Sequence, residues 1–249
     1  MTINLLIAPD FAPECFAGWH LLNTLLQKRS GLHLRLMMPG TAAEQSQMIA
    51  SGGIQAVYAN PFDASALIRD HGYIAIARPI AKSNETVIAT RAESTVNKVT
   101  DLISGCKIAL TDNRDVKLIG LRLLEPADLT EADIEWMPVD TYQAAARLAI
   151  KGEVNASFFL AEAYHSLSKL TKSQLKVLVE SKLADITHAL LISPDEAEHA
   201  DLLKEALLSL KGSADGQPVL DELGIPEGFT AMSEEDAEFM IDLMETLLD

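Results

Sequence analysis

Short apolar runs alternate along the chain with stretches whose apolar positions recur every three or four residues, as strands alternating with amphipathic helices do. Residues 3–8 predict a first strand, residues 9–18 a loop, and residues 19–28 a helix whose Leu21, Leu22, Leu25 and Leu26 form one face. Residues 33–38 predict a second strand. Thr41 and Glu44 have capping-box spacing and open a helix to about Ser51, residues 54–58 form the next strand, and Pro61 sits near the start of the helix after it. Two βα units therefore follow one another. From Tyr73 the texture changes: residues 74–77 and 86–90 are strand-like and are separated by Pro79 and the polar residues 82–85, where the chain is expected to cross into another lobe.

A second β/α series follows, with strands at residues 107–110, 134–137 and 154–159 and helices at about 114–124, 142–151 and 161–169. Residues 175–179 and 189–192 lead back. Ser193, Pro194 and Glu196 combine an N-cap, a proline at the first helical position and an acid at the third, predicting a helix through Leu210. Ser233 caps the last helix, with Phe239, Met240, Leu243 and Leu247 expected to face the core. The fold class is α/β, arranged as one discontinuous lobe of residues 1–84 plus 188–249 and an inserted lobe of residues 85–187. Two crossings imply a cleft between the lobes, and in parallel sheets the carboxyl ends of strands and the starts of helices face such a crevice.

Composition narrows the function. The 249 residues are 48% hydrophobic and 22% charged, with 13 glycines and 10 prolines, enough to bury a core and too regular for a linker-dominated chain. No run approaches the roughly 20 apolar residues of a membrane span. The formal charge of −16 argues against nucleic acid as a partner, because phosphate contacts need clustered Lys and Arg. Residues 193–249 carry sixteen acids against Lys204 and Lys211 alone, a solvated acidic face that leaves the rest of the chain near neutral. Cys15 and Cys106 stand 91 residues apart with neither CxxC nor zinc-site spacing. The six histidines are scattered singly, and no nucleophile elbow, HExxH, P-loop or GxGxxG is present. No cofactor and no metal are expected.

Four segments, in order, carry a resemblance: Ala8-Pro-Asp10, residues 50–62 with Tyr58, Asn60, Pro61 and Phe62, residues 99–110, and residues 149–156. The chain resembles the phosphate, phosphite and phosphonate substrate-binding proteins of ABC transporters, from about Leu5 through residues 223–229. The resemblance implies a type II periplasmic-binding fold whose two lobes close on a small polar or anionic solute, an ABC permease or a regulatory protein as partner, and monomer or dimer both open. It implies that Asp10, Tyr58, Asn60, Pro61 and Phe62 line the first-lobe wall. It also implies a hydroxyl-rich turn gripping phosphonate oxygens at the start of a second-lobe helix; here that turn contains Asn113, Arg114 and Lys117 and no hydroxyl. The family's pocket Tyr and His fall near Asn84 and Tyr142.

Arg114 and Lys117 can replace the hydroxyl grip with charge, and Asp112 and Asp115 beside them can neutralise it; a solvated first helical turn is the other reading of both cations. Tyr142 and Phe159 either pack at lobe edges or wall the ligand. Glu162 is either an exposed helix-start carboxylate or an acceptor for the ligand. The rival function on this fold is a cytoplasmic lyase or synthase resembling chorismate dehydratase, built on Asn84, Asn113, Tyr142 and Glu162. The start of the first strand at residue 3 and the expectation of two free thiols place the protein in the cytoplasm, with the periplasm as alternative if a leader has been removed.

Overall fold

The computed structural model describes residues 2–11, 13–183 and 185–248. In chain order its elements begin with β1 (Thr2–Ile7), α1 (Phe16–Ser30), β2 (His33–Met37), α2 (Ala42–Ala50), β3 (Ala56–Ala59), α3 (Pro61–His71), β4 (Ile74–Pro79) and β5 (Thr86–Arg91). Next come β6 (Cys106–Leu110), α4 (Arg114–Leu124), β7 (Ile134–Pro138), α5 (Tyr142–Lys151), β8 (Ala156–Leu160), α6 (Ala161–Ser166), α7 (Lys169–Ser173) and β9 (Leu175–Glu180). The chain ends with β10 (Ala189–Ile192), α8 (Ala200–Leu208), α9 (Gln217–Glu222), β11 (Phe229–Ala231) and α10 (Glu234–Leu248).

The chain divides into two compact units, Met1–Ser83 with Asp185–Met244 and Asn84–Ala184 with Glu245–Asp249. In the first unit the described strands form one sheet in the order β11-β4-β10-β3-β1-β2. Strands β1, β2 and β3 run parallel, while β10 runs against both β3 and β4, so the carboxyl ends of β1, β3 and β4 share an edge with the start of β10. Its core joins Leu5, Ile7 and Tyr58 of the sheet to Trp19, Leu22 and Leu26 of α1 and to Leu203 and Leu207 of α8. The second unit's sheet has the order β7-β6-β8-β5-β9, with β6, β7 and β8 parallel and β5 opposed to β8. One face packs Ile88, Ile108 and Phe158 against Val116 of α4, and the other packs Val87 and Phe159 against Ala145, Ala146 and Ala149 of α5.

Caps set several boundaries. Thr41 accepts the N–H of Glu44 at 3.1 Å, and Glu44 returns by accepting the N–H of Gly40 at 2.7 Å. Thr141 caps α5 in the same way, and α3 and α5 stop at Gly72 and Gly152, with φ of 67° and 72°.

Four elements differ from the sequence reading. Helix α1 begins at Phe16 inside the expected loop, and Gly18 within it admits Leu223, whose Cδ2 lies 2.9 Å from where a Cβ would stand. The helix predicted after Ser193 is a 3₁₀ segment, Pro194–His199, broken at Glu196 (φ −115°), followed by α8. Ser193 caps the N–H of Asp195, and the Glu196 carboxylate is buried at 2% exposure, 3.5 Å from His199. Pairing a buried acid competes with continuing the helix. The helix predicted over residues 161–169 splits into α6 and α7 because Ser168 caps Thr171 and starts a new turn. In α10 the inward face is Ala237, Met240 and Met244, whereas Phe239 is 51% exposed and Leu243 half-buried; the side chain of Leu247 lies outside the described residues.

Candidate functional site

In the first unit, Asp10 follows β1, Asn60 follows β3, Lys82 follows β4 and His188 precedes β10, all at one edge of the sheet. The backbone N–H of Ala8 extends the β1–β3 ladder to Tyr58 O at 2.9 Å, carrying the following loop to that edge. His188 Nε2 donates to Asp10 Oδ2 at 3.0 Å, a contact between residues 178 apart in sequence. The imidazole stacks on the Tyr58 ring, 5.2 Å between centroids and 17° between planes. Tyr58 is held in turn by Trp19 at 4.8 Å and by the edge of Phe229 at 6.3 Å. Thr187 Oγ1 donates to Lys82 O at 2.7 Å and so fixes the His188 segment beside the end of β4. Burial raises the carboxyl pKa of Asp10, but the charge and hydrogen bond of His188, with the charge of Lys82, outweigh it and hold the net value below the ordinary carboxylate range. Asp10 Oδ1 is buried with no hydrogen-bond partner among the described residues.

Asn60, expected at the wall, caps a helix. Its Oδ1 accepts the N–H of Asp63 at 2.8 Å and its Nδ2 donates to Asp63 Oδ2 at 3.0 Å, with Gln45 donating to the same oxygen. It is the cap of α3. Pro61 is buried in the first turn and Phe62 is half-buried.

In the second unit, Asn113 follows β6, Tyr142 follows β7 and Glu162 follows β8, while Asn84 precedes the opposed β5. The parallel strands thus bring three of the predicted residues to one edge, and the opposed β5 brings Asn84. Asn84, 4% exposed, donates from Nδ2 to Asp115 Oδ2 at 3.4 Å, and Asp115 is itself only 2% exposed. Asn113 caps α4 by accepting the N–H of Val116 at 3.0 Å. Arg114 is exposed in the first turn, Glu162 is exposed at the start of α6, and Tyr142 is half-buried with its ring 6.3 Å from Phe159. The hydroxyls of Thr86 and Thr111 are buried without hydrogen-bond partners among the described residues.

Two candidates are engaged elsewhere. Lys117 pairs with Glu131 and lies 5.1 Å from the Trp136 ring, and its charge is engaged there. Phe159 is fully buried in the cluster beneath α5 and is a core residue rather than a wall. Sequence reasoning missed His188, Lys82 and Thr86. No spacing pointed to them, because His188 meets Asp10 only through the sheet order. Among the described residues no group of three or more His, Cys, Asp and Glu side chains could hold a metal ion, and no helix is long and apolar enough to cross a membrane.

Comparison with known proteins agrees with the four sequence segments. The family described as ABC transporter, phosphonate, periplasmic substrate-binding protein matches residues 5–237. No curated protein matches the sequence. Among solved structures, PhnD1 from Prochlorococcus marinus in complex with methylphosphonate superposes with a TM-score of 0.80 at 12% identity, over 99% of this chain and 98% of that one. A binding-protein component of an ABC phosphonate transporter from Pseudomonas aeruginosa gives 0.75 at 14% identity, over 98% of this chain and 86% of that one. XAC2383 from Xanthomonas citri bound to ATP gives 0.75 at 14% identity, over 100% of this chain and 98% of that one. At such identity the likeness is one of fold, the two-lobe periplasmic-binding architecture. The family match also corrects the cytoplasmic expectation, since its members are periplasmic. That expectation leaned on Cys15 and Cys106, but cysteines in separate units report on no compartment. The lyase or synthase reading finds no support in these matches.

Proposed function

The chain belongs to the periplasmic phosphonate substrate-binding proteins of ABC transporters, and from that premise we propose which of its residues meet the solute. It is a solute-binding protein that takes a small anionic molecule and works with a permease. The observation that carries the reading is the family match over residues 5–237, almost the whole chain. Each unit contributes its own polar edge: Asp10, His188, Tyr58 and Lys82 in the first, and Asn84, Asn113, Arg114, Tyr142 and Glu162 in the second. The cations and amide N–H groups at these edges suit an anionic headgroup, and the Tyr58 and Tyr142 rings suit the apolar remainder of the solute.

Binding without turnover is the test. Thermal denaturation with phosphate, methylphosphonate, aminomethylphosphonate and an alkanesulfonate should show stabilisation by at least one, because a ligand at 100 times its dissociation constant adds about 2.7 kcal/mol. Phosphorus NMR of the stabilising phosphorus compound should be unchanged after prolonged incubation. Arg114→Ala and His188→Ala should each weaken that binding. If none of the four compounds stabilises the protein, or the compound is converted, the reading fails.

A further inference from the structure

A helix that crosses between parallel strands ordinarily buries an apolar stripe on their sheet. Helix α2, the connection from β2 to β3, departs from that pattern. Of its nine residues only Gln45 is buried, at 1% exposure, while Met48 and Ile49 are half-buried and the other six are exposed. Its neighbour α3 buries Pro61, Ala64, Ser65 and Leu67. Helices shorter than about 12–15 residues are marginal in water, so the contact that docks α2 decides whether it forms.

That contact is polar. The Gln45 amide donates to Asp63 Oδ2, the oxygen that also accepts from Asn60 Nδ2 at 3.0 Å. It is also incomplete, because Gln45 Oε1 is buried with no hydrogen-bond partner among the described residues. Water satisfies that oxygen once the helix leaves, so the docked state carries a cost that the open state does not. The ends of the segment suit a movement between fixed roots. Gly40 precedes the capping Thr41, and Gly52 and Gly53 follow the helix at φ of 77° and 80°, with open space where a Cβ would stand. Beyond them the chain is held: Pro39 is buried, and Asn4 of β1 donates from Nδ2 to Gly53 O at 2.6 Å and from its backbone N–H to Gln55 Oε1 at 2.9 Å.

We propose that α2 is a flap: residues 40–53 leave the first unit together and melt, pivoting on the glycines at either end, while β2 and β3 stay in the sheet and Gln45 on Asp63 serves as the latch. Because Gln45 and Asn60 share one carboxylate oxygen, each opening also reaches the turn that starts α3 at the polar edge of the first unit. No solute is needed for this motion, which goes beyond the binding reading and holds without it.

Residue-resolved hydrogen exchange of the whole protein, without solute, is the test. The hydrogen-bonded amides of α2 should exchange at least about 100-fold faster than those of β1 and β3. Their rates should stay within about twofold as urea is raised below the unfolding transition, as those of local openings do, while the β1 rates climb. Gln45→Ala should speed the α2 amides about tenfold and leave those of β1 and β3 within about twofold. The flap is overturned if wild-type α2 amides exchange as slowly as those of β1, or quicken with urea in step with them. It is equally overturned if Gln45→Ala leaves α2 unchanged, or speeds β1 and β3 as much as α2. The first two results need only the wild type, so a variant that fails to fold does not spare the proposal.

Discussion

The polar edges of the two units are made by one plan and assembled over very different distances. In both, parallel strands deliver loop residues to one edge and an opposed strand brings a further polar residue alongside them. In the first unit the pair at that edge, Asp10 and His188, is separated by 178 residues and exists only because β10 returns between β3 and β4. In the second, Asn84 and Asp115 are separated by 31 residues, within one continuous stretch of chain. Both pairs nevertheless depend on sheet order, the first on β10 lying between β3 and β4 and the second on β8 lying between β6 and β5.

The strongest way to break the second edge alone is through the core beneath it. Phe158 is fully buried and meets Trp136 edge-on at 5.7 Å. Phe158→Ala should cost about 3–5 kcal/mol in a denaturant transition followed by Trp136 emission in a Trp19→Phe background. Gly120→Ala should cost about 1–3 kcal/mol, because the new Cβ would lie 2.2 Å from the Phe158 ring. Its cost should fall sharply once Phe158 is alanine; equal costs in the two backgrounds would place the clash elsewhere.

For the first edge the probe is charge. Asp10→Asn should destabilise by about 1.5–3 kcal/mol at neutral pH, the range for a hydrogen bond to an ionised partner. Because the fold holds this carboxyl below its ordinary value of 3.8, the stabilisation is present above that value and is lost as the pH falls through the lower folded one. The stability gap between wild type and Asp10→Asn should therefore close in acid. A gap constant down to pH ~2 would show that the pair contributes shape rather than charge.

A smaller comparison sets cap against cap. Asn113→Ala removes one bond to a backbone N–H and should cost about 1 kcal/mol, while Asn60→Ala also strips an amide from Asp63 and should cost more, toward 2 kcal/mol. Equal losses in urea titration would mean that the Asn60–Asp63 contact contributes nothing. The smallest effect belongs to Lys117→Met, expected to change solute affinity less than about twofold because its ammonium is held by Glu131, where exposed pairs contribute little. A tenfold loss would return Lys117 to the binding edge.

Local chemistry was legible wherever one turn decided the outcome. Thr41 with Glu44 and Pro61 at the head of the next helix mark helix starts where the sequence predicts them, since a cap is satisfied by N–H groups two or three residues away. The same rule misread residues 193–210, because the Glu196 carboxylate turned inward to His199 instead of continuing a helix. The ordered segments Ala8-Pro-Asp10, residues 50–62, 99–110 and 149–156 together pointed to the family, and the matched region of residues 5–237 agrees with them.

What the sequence could decide was the alternation of strands and helices, their caps and the family, because each is written in residues that are neighbours or lie a helical turn apart. Only the tertiary structure decided that His188 meets Asp10, that Lys117 is spent on Glu131, that Phe159 is core, and that Asp115 rather than Asp112 is the buried acid of its turn. The physical reason is the order of strands in a sheet, which joins residues with no periodic relation in the chain, together with burial, which gives two aspartates three residues apart different solvents.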